Sequence, residues 1–173
     1  MRVVAGEFRG RRLVAPATPA TRPTTDKARE AIFNALASLD VVVDAAVADF
    51  YAGSGALGIE ALSRGATHCT FVERDRSALS AVHDNIATLG VSGRTRVVSG
   101  DALVMARGIP VDLAFADPPY DFESWPQLLA AVDTGFVVAE AAAAVDAPAG
   151  WEQVRVKRYG RTWVTFLRRQ ATN

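Results

Sequence analysis

The chain has little from which to build a metal site or a disulfide framework. Its 173 residues include one cysteine, Cys69, and two histidines, His68 and His83. A lone thiol forms no internal disulfide, and these three side chains do not make a structural zinc set, so no metal is expected. Long apolar runs are also missing: no segment approaches the roughly 20 apolar residues that a membrane helix needs. With no signal-peptide pattern either, the chain reads as soluble and cytoplasmic, with no membrane partner. At this length, folding buries roughly 70% of the surface an unfolded chain exposes, so one domain can form without staples.

Net charge is absent as well, because 19 Lys/Arg offset 19 Asp/Glu. The zero hides an uneven distribution. Residues 1–30 carry a balance of +4, residues 31–150 a balance of −9, and residues 151–173 a balance of +5. Basic ends on an acidic body predict that the termini meet a polyanion.

What is present is an alternation of apolar runs and helical periodicities. Residues 2–14 predict two short strands around a glycine-flanked turn, a basic β-hairpin, and the Pro/Thr-rich residues 18–22 an extended linker. A helix is predicted over 25–39, with Ala28, Ile32, Ala35, Leu36 and Leu39 on one face; Thr24, Thr25 or Asp26 can cap it. Strands are then predicted near 45–51, 69–73, 95–98, 111–116 and 135–139, with helices between most of them. That alternation implies a parallel sheet with right-handed crossovers. Two further strands, 151–158 and 162–168, close it as an antiparallel hairpin. The alanine-rich 141–149 reads as a poorly ordered connection. The expected fold is α/β, Rossmann-like, with about seven mostly parallel strands and helices on both faces. Residues 1–22 are expected to form a basic hairpin and linker that meet the polyanion, and 23–173 the main domain.

The first chemical motif is the turn Asp49-Phe50-Tyr51-Ala52-Gly53-Ser54-Gly55-Ala56-Leu57-Gly58. Its glycines fit G-x-G-x-x-G, which lets backbone approach a ligand and starts a helix tightly against a strand. The same spacing serves dinucleotides, S-adenosylmethionine or a plain turn. Glu73 follows Gly53 by 20 residues at the end of the next strand, where a carboxylate can accept both ribose hydroxyls. Asp101, ending the third strand, can accept an adenine amine. Asp49 tilts the reading toward a sulfonium amino acid, since a carboxylate there repels diphosphate and attracts the ammonium of a methionine moiety.

The second motif is Asp117-Pro118-Pro119-Tyr120. Two prolines after a buried strand cannot extend the ladder and hold a rigid turn. Asp117 and the Pro118 carbonyl then form a pair of acceptors for the two N–H groups of a nucleobase amine. Accepting both draws the nitrogen toward tetrahedral geometry, frees its lone pair, and offsets the positive charge that grows during methyl transfer. Tyr120 offers a face on which a base turned out of its stack can rest.

The chain resembles the RsmD-type bacterial 16S rRNA guanine-N2 methyltransferases over almost its full length. The matching segments are Arg2–Leu13, Arg22–Asp26 with Arg29-Glu30 and Phe33-Asn34, Gly53–Ala66, Val72–Asp75, Asp117–Tyr120 and Lys157–Gly160. Tyr51 departs from the commoner phenylalanine, and the polyalanine after Glu140 from a more polar stretch. The resemblance implies a class I methyltransferase fold and S-adenosylmethionine as cofactor, with a guanine in 16S rRNA as substrate, presented on the assembled small subunit to a monomeric enzyme. It implies a cofactor site from Asp49, Ala52, Gly53, Ser54, Gly55, Glu73, Arg74, Asp101 and Ala102. Catalytic roles fall to Asp117, Pro118 and Tyr120, and RNA contact to Arg9, Arg11, Arg12 and Arg22.

Three rivals share parts of this pattern. An adenine-N6 methyltransferase uses the same tetrapeptide, but the N-terminal segments favour rRNA and no target-recognition domain is evident. A nicotinamide oxidoreductase needs a hydride-side acid or base, and neither histidine ends a strand. The third is an RNA-binding module with a vestigial cofactor site.

Overall fold

A computed structural model of the chain describes residues 1–17 and 25–171. Its strands are β1 (Ala46–Phe50), β2 (His68–Glu73), β3 (Thr95–Ser99), β4 (Leu113–Ala116), β5 (Phe136–Ala141), β6 (Trp151–Tyr159) and β7 (Thr162–Arg169). The helices are α1 (Asp26–Ala37), α2 (Ala56–Ser63), α3 (Arg76–Leu89), α4 (Ala102–Met105) and α5 (Trp125–Ala131). The seven strands lie in the order β3-β2-β1-β4-β5-β7-β6. Strands β1 to β5 pair in parallel, and β7 runs antiparallel to both β5 and β6. The chain winds outward from β1 to β3 and then returns to lay β4 against the other side of β1. The switch in strand order therefore falls between β1 and β4, and the crevice it opens is where open α/β sheets bind ligands.

The central strands are apolar on both faces because helices cover both. Val47, Phe71, Phe115, Val138 and Phe166 point to one side, into a core shared with Ile32, Phe33 and Leu36 of α1, Leu57, Ile59 and Leu62 of α2, and Val82 and Ile86 of α3. Ala48, Val72, Ala114, Ala116, Val137 and Leu167 point to the other, against Ala102 of α4 and Leu128 and Leu129 of α5. Period-two alternation sorts the larger side chains to the first face and mostly small ones to the second.

Helix α1 begins where Thr25 Oγ1 accepts the Ala28 N–H at 3.2 Å, which selects one of the three caps the sequence left open. Its buried face includes Arg29, which stands three, four and seven residues before Ile32, Phe33 and Leu36.

The N-terminal segment departs from the predicted pair of strands. It holds one antiparallel bridge, Arg2 to Arg12, with Val3 N donating to Arg11 O and Gly10 N to Val3 O, each at 2.9 Å. Of the intervening residues, Arg9 N closes the turn onto Gly6 O at 3.2 Å, while four others give their N–H groups to α2. Val4 and Ala5 donate to the Glu60 carboxylate at 2.8 and 3.0 Å, Glu7 N to Ser63 O at 2.8 Å, and Phe8 N to Ser63 Oγ at 3.0 Å. Val3, Phe8 and Leu13 enter the first core, so this arm is packed along the body. Gly6 allows the approach: a Cβ there would lie 1.8 Å from Ser63 O. Arg22 and the linker at 18–22 fall outside the described residues.

The connection after β5 is also corrected. It is neither helical nor loose, because Val145 is buried, its N–H bonds Thr165 Oγ1 at 3.0 Å, and its carbonyl accepts from Gln153 Nε2 at 2.7 Å. Side chains of β6 and β7 thereby satisfy a backbone that has no ladder of its own.

Candidate active site

The first wall of the crevice is the turn from β1 into α2. Tyr51, at φ 62°, begins the reversal in the left-handed region, and Gly53 and Gly55 follow at φ 56° and 76°. Gly55 is the N-cap of α2 and has no side chain to satisfy the helix's first N–H groups. Asp49 does so from β1: its Oδ2 accepts the Gly58 N–H at 2.9 Å. A carboxyl at a helix N-terminus is favourably placed, but Asp49 is only 1% exposed. Burial pushes its pKa up to about 8, against the lowering effect of the Gly58 N–H, with Asp117 and Glu73 adding to the rise. The ammonium contact expected of Asp49 has Oδ1 left to it. Position 58 has no room for a side chain, since a Cβ would sit 2.4 Å from Cys69 Sγ on β2.

Glu73 closes the turn from β2. Its Oε2 accepts Gly53 N at 2.9 Å, and Oε1 accepts Arg74 N at 2.7 Å and Asp75 N at 2.9 Å. A carboxylate offers about four lone-pair sites. While these three bonds hold, Glu73 has room for one ribose hydroxyl rather than the expected two. Asp101 is similarly engaged: Oδ1 caps α4 through Leu103 N at 2.9 Å, and Oδ2 meets Arg74 Nη1 at 3.1 Å. That ion pair is exposed, so an incoming base competes with a weak partner. Ala52 is buried and tied to Val72 O through its N–H at 3.1 Å. Ser54 and Ala102 are buried too.

The second wall follows β4. Asp117 N reaches Phe50 O at 3.4 Å, so this turn begins directly beside the end of β1. Pro118 is buried and Pro119 exposed. Tyr120 is 55% exposed, and its hydroxyl meets Thr162 Oγ1 at 3.0 Å, at the start of β7. The two walls touch through aromatic rings. Tyr51 meets Phe122 edge-on at 5.6 Å between centroids, and Phe122 meets Trp125 at 5.2 Å. Such pairs add about 0.5–1.5 kcal/mol beyond burial. Burial, with Asp101 next, raises the Tyr51 hydroxyl to a pKa of about 12, so it stays protonated.

The family described as conserved hypothetical protein 95 matches residues 1–168. Ribosomal RNA small subunit methyltransferase D of Escherichia coli (strain K12) is 39% identical, covering 99% of this chain and 91% of that protein. The chain belongs to the RsmD-type methyltransferase family. YlbH of Bacillus subtilis (strain 168) is 37% identical over 98% of this chain and 100% of its own. The solved structure of Escherichia coli yhhF superposes with a TM-score of 0.86 at 35% identity, over 99% of both chains. The Rossmann-like class I methyltransferase fold expected from the sequence is the fold of this family member.

Of the cations assigned to RNA, Arg9, Arg11 and Arg12 are exposed on the arm. Arg11 Nη2 donates to Thr88 O at 2.8 Å, and neither Arg9 nor Arg12 forms an ion pair among the described residues. Sequence reasoning missed Asn85. Its Oδ1 accepts Val14 N at 2.7 Å, and its Nδ2 donates to Val14 O at 3.0 Å and Ser54 O at 2.9 Å. One buried amide thus ties the arm to the glycine turn. The available signal was an asparagine on the apolar face of α3, beside Val82, Ile86 and Leu89. Thr162 and Phe122 had no comparable signal, because their roles depend on partners brought together by the fold.

Proposed function

We propose that this chain transfers a methyl group from S-adenosylmethionine to the exocyclic N2 of a guanine in 16S rRNA. The substrate is the assembled small ribosomal subunit, and the enzyme acts as a cytoplasmic monomer. The observation that carries the reading is the rigid acidic turn Asp117–Tyr120 standing against the glycine turn of β1, in a member of this family. The Escherichia coli relative bears small-subunit rRNA in its name, and so does a Haemophilus influenzae relative 37% identical over 70% of this chain.

The residues fit the cofactor. The space beside Gly53 is open, with nothing closer to its Cβ position than Tyr51 O at 4.0 Å, and acids line the crevice where an ammonium and a ribose need acceptors. When bound, S-adenosylmethionine supplies a methyl carbon activated by a sulfonium. Gly53, Ser54, Gly55 and Ala52 would form its floor, with Asp49, Glu73, Arg74, Asp101 and Ala102 around it. Asp117 and the Pro118 carbonyl would each accept one amine hydrogen, and the carboxylate would balance the cationic nitrogen. The Tyr120 ring would support the base while Thr162 holds its hydroxyl.

The test is to incubate the full chain with radiolabelled cofactor and small subunits lacking the modification, then digest and identify the nucleoside. N2-methylguanosine at one position is expected; N6-methyladenosine would transfer the reading to the adenine enzyme. In the same assay Asp117→Ala should lower transfer by about a hundred- to a thousandfold, while cofactor affinity stays within a few-fold. Near-normal turnover by that variant removes the mechanism.

A further inference from the structure

Apart from Arg155, midway along β6, the basic residues of the C-terminal segment fall at the two ends of the β6–β7 hairpin, with different surroundings. The register runs from Trp151 opposite Arg169 at one end to Tyr159 opposite Thr162 at the other. At the first end the cations are committed. Arg168 pairs with Glu152 at 3.7 Å, Arg169 donates to Thr134 O at 3.0 Å and Val132 O at 2.7 Å, and its guanidinium lies 4.5 Å from the Trp151 ring centre. At the other end Lys157, Arg158 and Arg161 are exposed, and none forms an ion pair among the described residues. Arg158 spends Nε on Gly160 O at 3.0 Å and rests 5.6 Å from the Trp163 ring centre, which leaves four N–H donors on a steadied fork.

The pairing with β5 fixes where this tip stands. Ala141, the last residue of β5, lies opposite Trp163, so the turn at Gly160-Arg161 projects from the carboxyl edge of the sheet. That is the edge carrying the crevice, and the Tyr120 hydroxyl bonded to Thr162 spans the distance between them. Asp121 and Glu123 are exposed on the loop after Tyr120 and form no ion pair with the tip among the described residues.

We infer that Lys157, Arg158 and Arg161 hold RNA phosphates flanking the nucleotide whose base enters the crevice. The inference rests on the proposed rRNA substrate and deepens it by assigning a second contact surface, separate from the arm. Phosphate binding by three cations releases counterions, and Arg forks engage two phosphate oxygens at once. The alternative is that these charges guard the exposed edge strand β6 against pairing with another chain. Edge protection can use Arg155, Lys157 and Arg158, which lie on β6 itself, but it does not account for Arg161, which belongs to the turn beside the crevice.

The test compares the full chain with Lys157→Gln/Arg158→Gln/Arg161→Gln and with Arg9→Ala/Arg11→Ala/Arg12→Ala. Binding to a small-subunit rRNA transcript is titrated across a salt series, with cofactor affinity and thermal midpoint measured in parallel. For the hairpin variant, affinity should fall at least tenfold and the slope of log Kd against log salt should flatten by about 2. Its KM for RNA should rise with kcat retained, and cofactor affinity should stay within twofold. Because Arg158 also packs on Trp163, the Lys157→Gln/Arg161→Gln pair repeats the test without disturbing that contact; a slope change of about 1.4 is expected. Unchanged affinity and slope in both hairpin variants, while the parent chain methylates rRNA, overturn the hairpin assignment and leave the proposed function standing. A parent chain that binds rRNA without salt dependence overturns both. Aggregation of the variants with unaltered RNA affinity assigns the charges to edge protection.

Discussion

The N-terminal arm and the C-terminal hairpin are both basic, yet the molecule treats them differently. The arm is held along its length by α2, and the network beneath it is buried. Glu60, with no exposed side chain, accepts two arm N–H groups and Arg64 Nε at 2.8 Å, and its carboxylate lies 3.5 Å from Arg29 Nε as an ion pair. Arg29 in turn donates to Arg2 O and to Asp26 Oδ1. The hairpin shares its β7 strand with the sheet, but its tip is tied back by one side-chain bond to Tyr120. Position differs as well. The arm's turn lies at the end of α2 and pairs Glu7 with Arg94, just before β3, on the edge opposite the crevice. The hairpin's turn is on the crevice edge. Charge along the chain tells the sign of the partner, and topology tells which cations can stand near the reacting base.

The comparison breaks most sharply at Glu60. Glu60→Gln removes the buried one of two carboxylates that Arg29 pairs with, Asp26 being the other, and a loss of about 1.5–3 kcal/mol in urea unfolding is expected. A loss below about 1 kcal/mol would mean the arm does not depend on that carboxylate. Asn85→Ala sharpens it next. Removing the amide frees the arm's end and the Ser54 carbonyl together, so cofactor affinity should drop about tenfold with stability lowered by about 1–3 kcal/mol. Titration calorimetry showing the parent affinity would separate arm from glycine turn. The smallest effect belongs to Thr162→Val, which deletes one exposed hydroxyl contact. Stability should move by less than about 1 kcal/mol, while KM for RNA rises a few-fold through a less steady Tyr120. An unchanged KM would make the tie between hairpin and acceptor turn ornamental.

The sheet and both crevice walls were legible because their signals are local. Apolar runs mark the central strands, glycines mark the turn into α2, and paired prolines mark the end of β4. The arm was misread because its partners lie more than 50 residues away. Nothing near Val4 or Ala5 announces that Glu60 will accept their N–H groups, so two short segments around a glycine-flanked turn read as a basic β-hairpin. Arg29 was hidden for a related reason: a guanidinium on an apolar helix face looks like a solvated exception until its carboxylate is in view. Alanines 141–144 have the composition of a helix or a loose tether, and only Thr165 and Gln153 show why Val145 is fixed.

Asp49 carries a consequence for how the crevice greets a positively charged guest. With a pKa of about 8, its carboxyl holds its proton through most of the neutral range. That raised value stabilises the fold fully below the ordinary carboxylate range, and the contribution disappears as pH climbs through 8. An ammonium seated on Oδ1 would reverse the preference and expel the proton, so uptake of the sulfonium amino acid at pH 7 should discharge most of one proton to the buffer. Calorimetric heats should then differ between phosphate and Tris by nearly the difference in their ionisation enthalpies. Asp49→Asn should erase that difference, and equal heats in the parent chain would show that the acid never meets the guest.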